Sequence, residues 1–243
     1  MPEKRQHRGP HPQDHALFAP PQWPRLRAAV MDLSWLLSRG YADAAALKLV
    51  GDHYQLTTRQ RTAVRRCACS DAALAGRAGR EVGHKSIRGR RLQIDGFNII
   101  TTVEAALAGG VLIGGRDRCL RDMASMHGTY RKVRETLPAA ALIGRTLAAL
   151  GIGEARWVLD RPVSNSGRLR VVLLELARLH GWPWEVELSD HADRTLVESG
   201  EIVASADSVI LDRCAAWFNL GRAVLATCLS RVEPVELGTP DDA

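Results

Sequence analysis

LQIDGFNIITTVEAAL, residues 92–107, begins as an apolar run, halts at Asp95-Gly96-Phe97-Asn98, and resumes with helical spacing. Such a run reads as a buried strand feeding a helix. Open α/β sheets bind their ligands at the carboxyl ends of these strands, and Asp95 stands at that end. Two more strand-like runs stop at or near an aspartate, ARWVLD at Asp160 and EIVASAD at Asp207. Three carboxylates delivered to one crevice repel each other unless a divalent cation joins them. The pattern therefore sets up an expectation of a carboxylate site at strand ends.

Outward from this segment, strands alternate with helices. Helices are expected at about 98–108, 117–126 and 129–150, and over NSGRLRVVLLELARLHG up to Gly181. VLIGG, ARWVLD, WPWEVEL and EIVAS read as strands, and Asp207 to about Leu229 as mostly helical. This alternation predicts an α/β fold, a parallel sheet flanked by helices, over residues 92–232. Ahead of it, PRLRAAVMDLSWLLSRG, YADAAALKLVGDHY and TTRQRTAVRRCACSDAAL carry apolar residues at helical spacing, with Gly40 as a stop and Thr57 or Thr58 as a cap. They predict a small all-α N-terminal domain over 23–80. Residues 1–22, polar and Pro-rich, read as a disordered tail. Residues 81–91 read as a basic linker and 233–243 as a loose tail.

The charge is divided. Residues 1–91 hold 17 Lys/Arg against 7 Asp/Glu, whereas residues 92–243 hold 16 against 20, within a net charge of +6. A basic front suits a polyanion, since clustered cations gain phosphate affinity by releasing counterions. An acidic rear suits a cation. Arg61 and Arg65 lie four apart on the third helix and are the candidate RNA contacts there. The three-helix rhythm also admits a DNA-reading unit. Five scattered cysteines argue against a disulfide framework, and Cys67-Ala68-Cys69 reads as the end of a helix. No apolar run approaches the ~18 residues of a membrane span. No apolar stretch follows the basic start in the manner of a secretory signal, so the cytoplasm is the expected compartment.

Asp95, Asp160 and Asp207 are the candidate catalytic and metal-binding residues. Asp190 and Asp193, in SDHADRTL after another strand, are the candidates for a fourth oxygen ligand, with Asp193 preferred. Asn98 is placed to orient a carboxylate or touch substrate. Arg161, Ser164, Asn165 and Ser166, in the loop after Asp160, offer charge, hydroxyls and amides at a helix start, a natural anion site. Asp117 and Asp122 are expected to form surface ion pairs with neighbouring arginines, and His127 is a lesser acid–base candidate. An all-oxygen set suits Mg²⁺ or Mn²⁺. No phosphate-binding Gly-rich loop, dinucleotide fingerprint or G-x-S-x-G elbow is present.

IDGFNII resembles the first strand of PIN-like nucleases, especially the NYN branch, with its D-G-x-N-hydrophobic opening. VLD (158–160) and VASADSVIL resemble the later aspartate-bearing strands, the last with a T/S-x-D signature. The resemblance covers roughly 92–215. It implies a parallel sheet flanked by helices and Mg²⁺- or Mn²⁺-dependent RNA cleavage, with Asp95, Asn98, Asp160 and Asp207 at the site. PIN-like nucleases carry a further acid on a helix between the second and last aspartates, and here Glu175, Asp190 and Asp193 compete for that place. GYADAAALKLVGDHYQLTTRQRTAVRR and DRPVSNSG resemble a family of uncharacterised two-part prokaryotic proteins, which implies a layout but no activity. The expectation is a metal-dependent ribonuclease; a degenerate scaffold that binds nucleic acid without cutting it is the alternative. A phosphatase of the HAD type fits poorly, because D-x-D is absent at the first strand.

Overall fold

The computed structural model describes residues 8–123, 130–227 and 233–238. After a single helical turn, α1 (Asp14–Leu17), come α2 (Trp23–Ser38), α3 (Asp43–His53), α4 (Thr58–Cys67) and α5 (Asp71–Arg80). Thr57 caps α4 reciprocally with Gln60, and Gly40 ends the α2 region with φ +80°. A short helix α6 (His84–Ile87) leads into β1 (Arg91–Asp95), α7 (Gly96–Leu107), β2 (Leu112–Gly114) and β3 (Leu120–Asp122). Then follow α8 (Thr136–Ala149), β4 (Glu154–Asp160), α9 (Ser166–His180), β5 (Trp184–Ser189), α10 (Ala192–Glu198), β6 (Ile202–Ala204), α11 (Ser208–Arg213), β7 (Ala216–Trp217), α12 (Leu220–Ala226) and β8 (Val235–Glu236).

β1, β4, β5, β6 and β7 form one sheet in the order β5-β4-β1-β6-β7, parallel throughout. The chain starts at the central strand, steps outward through β4 to β5, then crosses back to β6 on the other side of β1. The strand order therefore reverses between β1 and β6, and a crevice opens at that point above the carboxyl ends. Side chains alternate across the sheet. Leu92, Ile94, Trp157, Leu159 and Ala204 face the core formed with α7, α8, α9 and α12, while Val158 and Val203 face the core formed with α10 and α11.

The front helices do not close a core alone. Leu26, Val30, Leu33, Val50 and Val64 pack with Ile113, Met123, Val235 and Leu237, residues in or beside a second, three-stranded sheet of order β3-β2-β8. Several local expectations differ from what the chain does. Of the helix expected at 117–126, residues 117–123 are a turn and β3, with Asp122 in that strand, and 124–126 lie outside the described residues. Within the tail expected to be loose, 233–243, Val235–Glu236 pair as β8 along β2, and 239–243 lie outside the described residues. Within residues expected to be a disordered start, Asp14 is buried and pairs with Arg59. Within the expected linker, Val82 donates its amide to the Trp217 carbonyl, and Ile87 is fully buried. In each case a partner distant in sequence supplies the burial or pairing that local composition lacks. His127 lies outside the described residues. Among the described residues no helix is long and apolar enough to cross a membrane.

Candidate functional site

Asp95 ends β1 and caps α7, its Oδ1 accepting the Asn98 amide at 3.3 Å. Gly96 is required there by close approach: a Cβ would collide with Leu159 Cδ2 and sit 3.1 Å from the Val158 carbonyl. Asp95 pairs in register with Val158, so both point to the α10/α11 side, and Asp160, two residues on, points there too. On that side α10 brings Asp193, and α11 brings Asp207 at its N-cap. Four aspartates thus share one end and one side of the sheet.

Their electrostatics confirm the proximity. Burial, with the charges of Asp207 and Asp160 adding to it, pushes the Asp95 carboxyl up to about 7, against hydrogen bonds from Ser205 and Asn98 that pull it down. Burial and then Asp193 raise Asp160; burial and then Asp207 raise Asp193. Among the described residues none of the four makes an ion pair. Four carboxylates gathered without a cation are costly, and a structure that keeps them that way invites a ligand of opposite charge. The donors present, carboxylates with one hydroxyl and one amide nearby, are hard oxygens of the kind that suit Mg²⁺ or Mn²⁺. Among the described residues, however, no group of three or more His, Cys, Asp or Glu side chains is arranged to hold a metal ion as it stands.

The loop Ser205–Asp207 is held from three sides. Ser205 donates to Asp95 Oδ2 at 2.7 Å, Asn98 Oδ1 accepts the Ala206 amide at 2.9 Å, and Arg121 Nε donates to the Ala206 carbonyl at 2.8 Å. Arg121 also grips Asp117 with both terminal nitrogens, at 2.9 and 2.6 Å. Arg77, from α5, reaches the same Asp117 at 2.6 Å and holds Asp212 on α11 at 2.6 Å. Asp117 is therefore not the surface ion-pair residue expected; only 5% of it is exposed, and it anchors a buried charge network. That network ties the front helices to the helix whose N-cap is Asp207.

The other candidates are placed as follows. Arg161 pairs with Asp190 at 3.1 Å, which engages one of the competing acids and leaves Asp193 the better fourth carboxylate. Ser164 is exposed. Asn165, left-handed at φ 68°, donates to the Tyr130 carbonyl at 2.8 Å, and Ser166 donates to the Arg161 carbonyl; both order the loop. Arg61 is engaged by Asp52 and the Leu56 carbonyl, and Arg65 by Asp43; neither touches the aspartates. The basic run Arg88, Arg90 and Arg91 lies at the opposite end of β1, its nearest member Arg91 about 13 Å of strand from Asp95, and Arg91 pairs with Glu154 at 2.6 Å. Glu104 is fully buried, hydrogen-bonded by Tyr130 and Thr136 and ion-paired with Arg8. Ser205 was missed although it stands in the S-x-D triplet, because only the aspartate of that triplet was weighed. The Arg121–Asp117 pair is local, four positions apart, but its burial rests on Arg77, 40 positions upstream, and its hold on the site rests on Ala206, 85 positions downstream of Arg121.

Residues 84–223 match a domain of unknown function, DUF5616, and residues 25–80 match a protein of unknown function, DUF434. An uncharacterized protein of Methanocaldococcus jannaschii is 30% identical over 186 residues, spanning 76% of this chain and 88% of that relative. No solved structure is significantly similar. With the DUF5616 match covering more than half of its length, and a DUF434 segment ahead of it, the chain belongs to the DUF5616 family.

Proposed function

We propose that the protein is a PIN-like, Mg²⁺- or Mn²⁺-dependent ribonuclease that hydrolyses RNA phosphodiester bonds in the crevice between β1 and β6. The supporting observation is the gathering of Asp95, Asp160, Asp193 and Asp207, from four separate segments, on one side of a parallel sheet at its switch point without a cationic partner. A bound Mg²⁺ or Mn²⁺ would stabilise charge on the phosphoryl oxygens and acidify water. Asp95 and Asp207 would hold it, with Asp160 and Asp193 flanking. Ser205 and Asn98 fix the Asp95 carboxylate and leave each of its oxygens a free lone pair. Asp160 and Asp193, whose side chains accept no hydrogen bond from another described residue, are free to move toward a cation or take a proton from water.

The test is incubation of labelled RNA with the purified protein and Mn²⁺, in parallel with Asp95→Asn. Cleavage by the wild type alone supports the reading; equal cleavage by both, or by neither, ends it. A second reading is favoured by the lack of a ready three-ligand group among the described residues: a non-catalytic nucleic-acid-binding adaptor on the same scaffold. It predicts salt-dependent RNA binding without turnover and a melting temperature indifferent to Mn²⁺.

A further inference from the structure

We infer that Arg131 and Lys132 form the phosphate-gripping rim of the crevice, taking the backbone of an RNA strand that runs past the four aspartates; this rests on the ribonuclease reading. Tyr130 is a buried anchor. Its ring lies 5.2 Å from that of Phe97, two residues beyond Asp95. Its hydroxyl donates to Glu104 at 2.5 Å, and its carbonyl accepts from Asn165, in the loop that follows Asp160. Tyr130 is thus pinned between the helix that Asp95 starts and the loop that begins after Asp160.

The next two residues, Arg131 and Lys132, leave this anchor into solvent. Neither makes a hydrogen bond or ion pair among the described residues. Most other cations near the crevice are already engaged. Arg161 holds Asp190, Arg121 is buried on Asp117, and Arg156 holds Glu187. Arg131 and Lys132 pair with none of the four aspartates, so the segment anchored on α7 and on the loop after Asp160 carries two positive charges that no described acid neutralises. The arrangement suits a ligand with both needs: phosphates for the rim and, through a cation, phosphate oxygens over the aspartates. The anchor fixes the backbone that carries the rim, so the ordering cost of binding falls on the two side chains.

The experiment is fluorescence anisotropy with a labelled single-stranded RNA in Ca²⁺, titrated over a range of salt, with the RNA checked for integrity by gel. Each phosphate contact to a single strand contributes about 0.7 to the slope of log affinity against log salt. Arg131→Ala/Lys132→Ala should flatten the wild-type slope by roughly 1.4 and weaken binding several-fold, with the melting temperature unchanged. Arg178→Ala, an exposed arginine in the last turn of α9, about 20 Å along that helix from Asn165, should leave the slope unaltered. A double variant with the wild-type slope overturns the rim while leaving the ribonuclease reading standing. Equal losses in Arg178→Ala also overturn it, since they mean diffuse attraction. Absence of RNA binding by the wild type removes the ribonuclease reading and the rim with it.

Discussion

Ser205 donates its hydroxyl proton to Asp95 Oδ2 at 2.7 Å and accepts the Asp207 amide at 2.9 Å, so one side chain ties the ends of β1 and β6 together across the switch point. That hydroxyl and the Asn98 amide offset part of the burial of Asp95, but burial, with Asp207 and Asp160 adding to it, outweighs them.

The Asp95 carboxyl is raised from 3.8 to about 7. Between those values the folded protein binds more protons than the unfolded one, so stability present at low pH is lost as pH rises toward 7. Asp95→Asn removes the buried charge. In metal-free buffer at pH 8 the variant should be more stable than the wild type by about 1–3 kcal/mol, below the unscreened ceiling because the carboxyl retains some solvent. The gap should close near pH 4. Chemical denaturation at the two pH values checks this; a variant less stable than the wild type at pH 8 refutes it.

Metal binding must displace that proton. Mn²⁺ should therefore raise the wild-type melting temperature clearly at pH 8 and weakly at pH 5.5. Asp160→Asn and Asp193→Asn should each shrink the shift, and Asp95→Asn should abolish it. Thermal melts with and without Mn²⁺ read this directly.

Burial pushes the Asp117 carboxyl up, but Arg121 and Arg77 outweigh burial and hold it below the ordinary range. Arg121→Met leaves Asp117 short of its bidentate partner and should cost about 3–5 kcal/mol. Asp117→Asn added to it should recover part of the loss. Urea titration of the single and double variants measures the recovery. No recovery would mean that the Arg121 contact with the Ala206 carbonyl, rather than the ion pair, dominates.

Gly96→Ala places a methyl against Leu159 and the Val158 carbonyl. Overpacking of this kind costs about 1–3 kcal/mol. Because Gly96 follows Asp95 directly, the Mn²⁺-induced rise in melting temperature should fall as well. A variant that is fully stable and responds normally to Mn²⁺ would show that β1 and β4 can part without disturbing the site.

The α/β architecture was legible because buried parallel strands are short apolar runs and the helices between them keep a 3.6-residue period, both local properties. The strands at 92–95, ARWVLD, WPWEVEL and EIVAS all form. The stretch around Asp117 was misread as helical because its charges seemed solvated. Arg121 and Arg77 neutralise them in the interior, and Arg77 lies 40 residues upstream. The C-terminal tail was misread for a similar reason, since the strand at Val235 is made by its pairing with Ile113.

Sequence alone determined that aspartates stand at strand ends, because strand endings and their turn residues are written in neighbouring positions. Which side of the sheet those aspartates face, which arginines are consumed by other acids, and which cations are left free were decided only in three dimensions. These outcomes depend on register, crossover direction and competition among charges, and each joins residues that the chain keeps far apart.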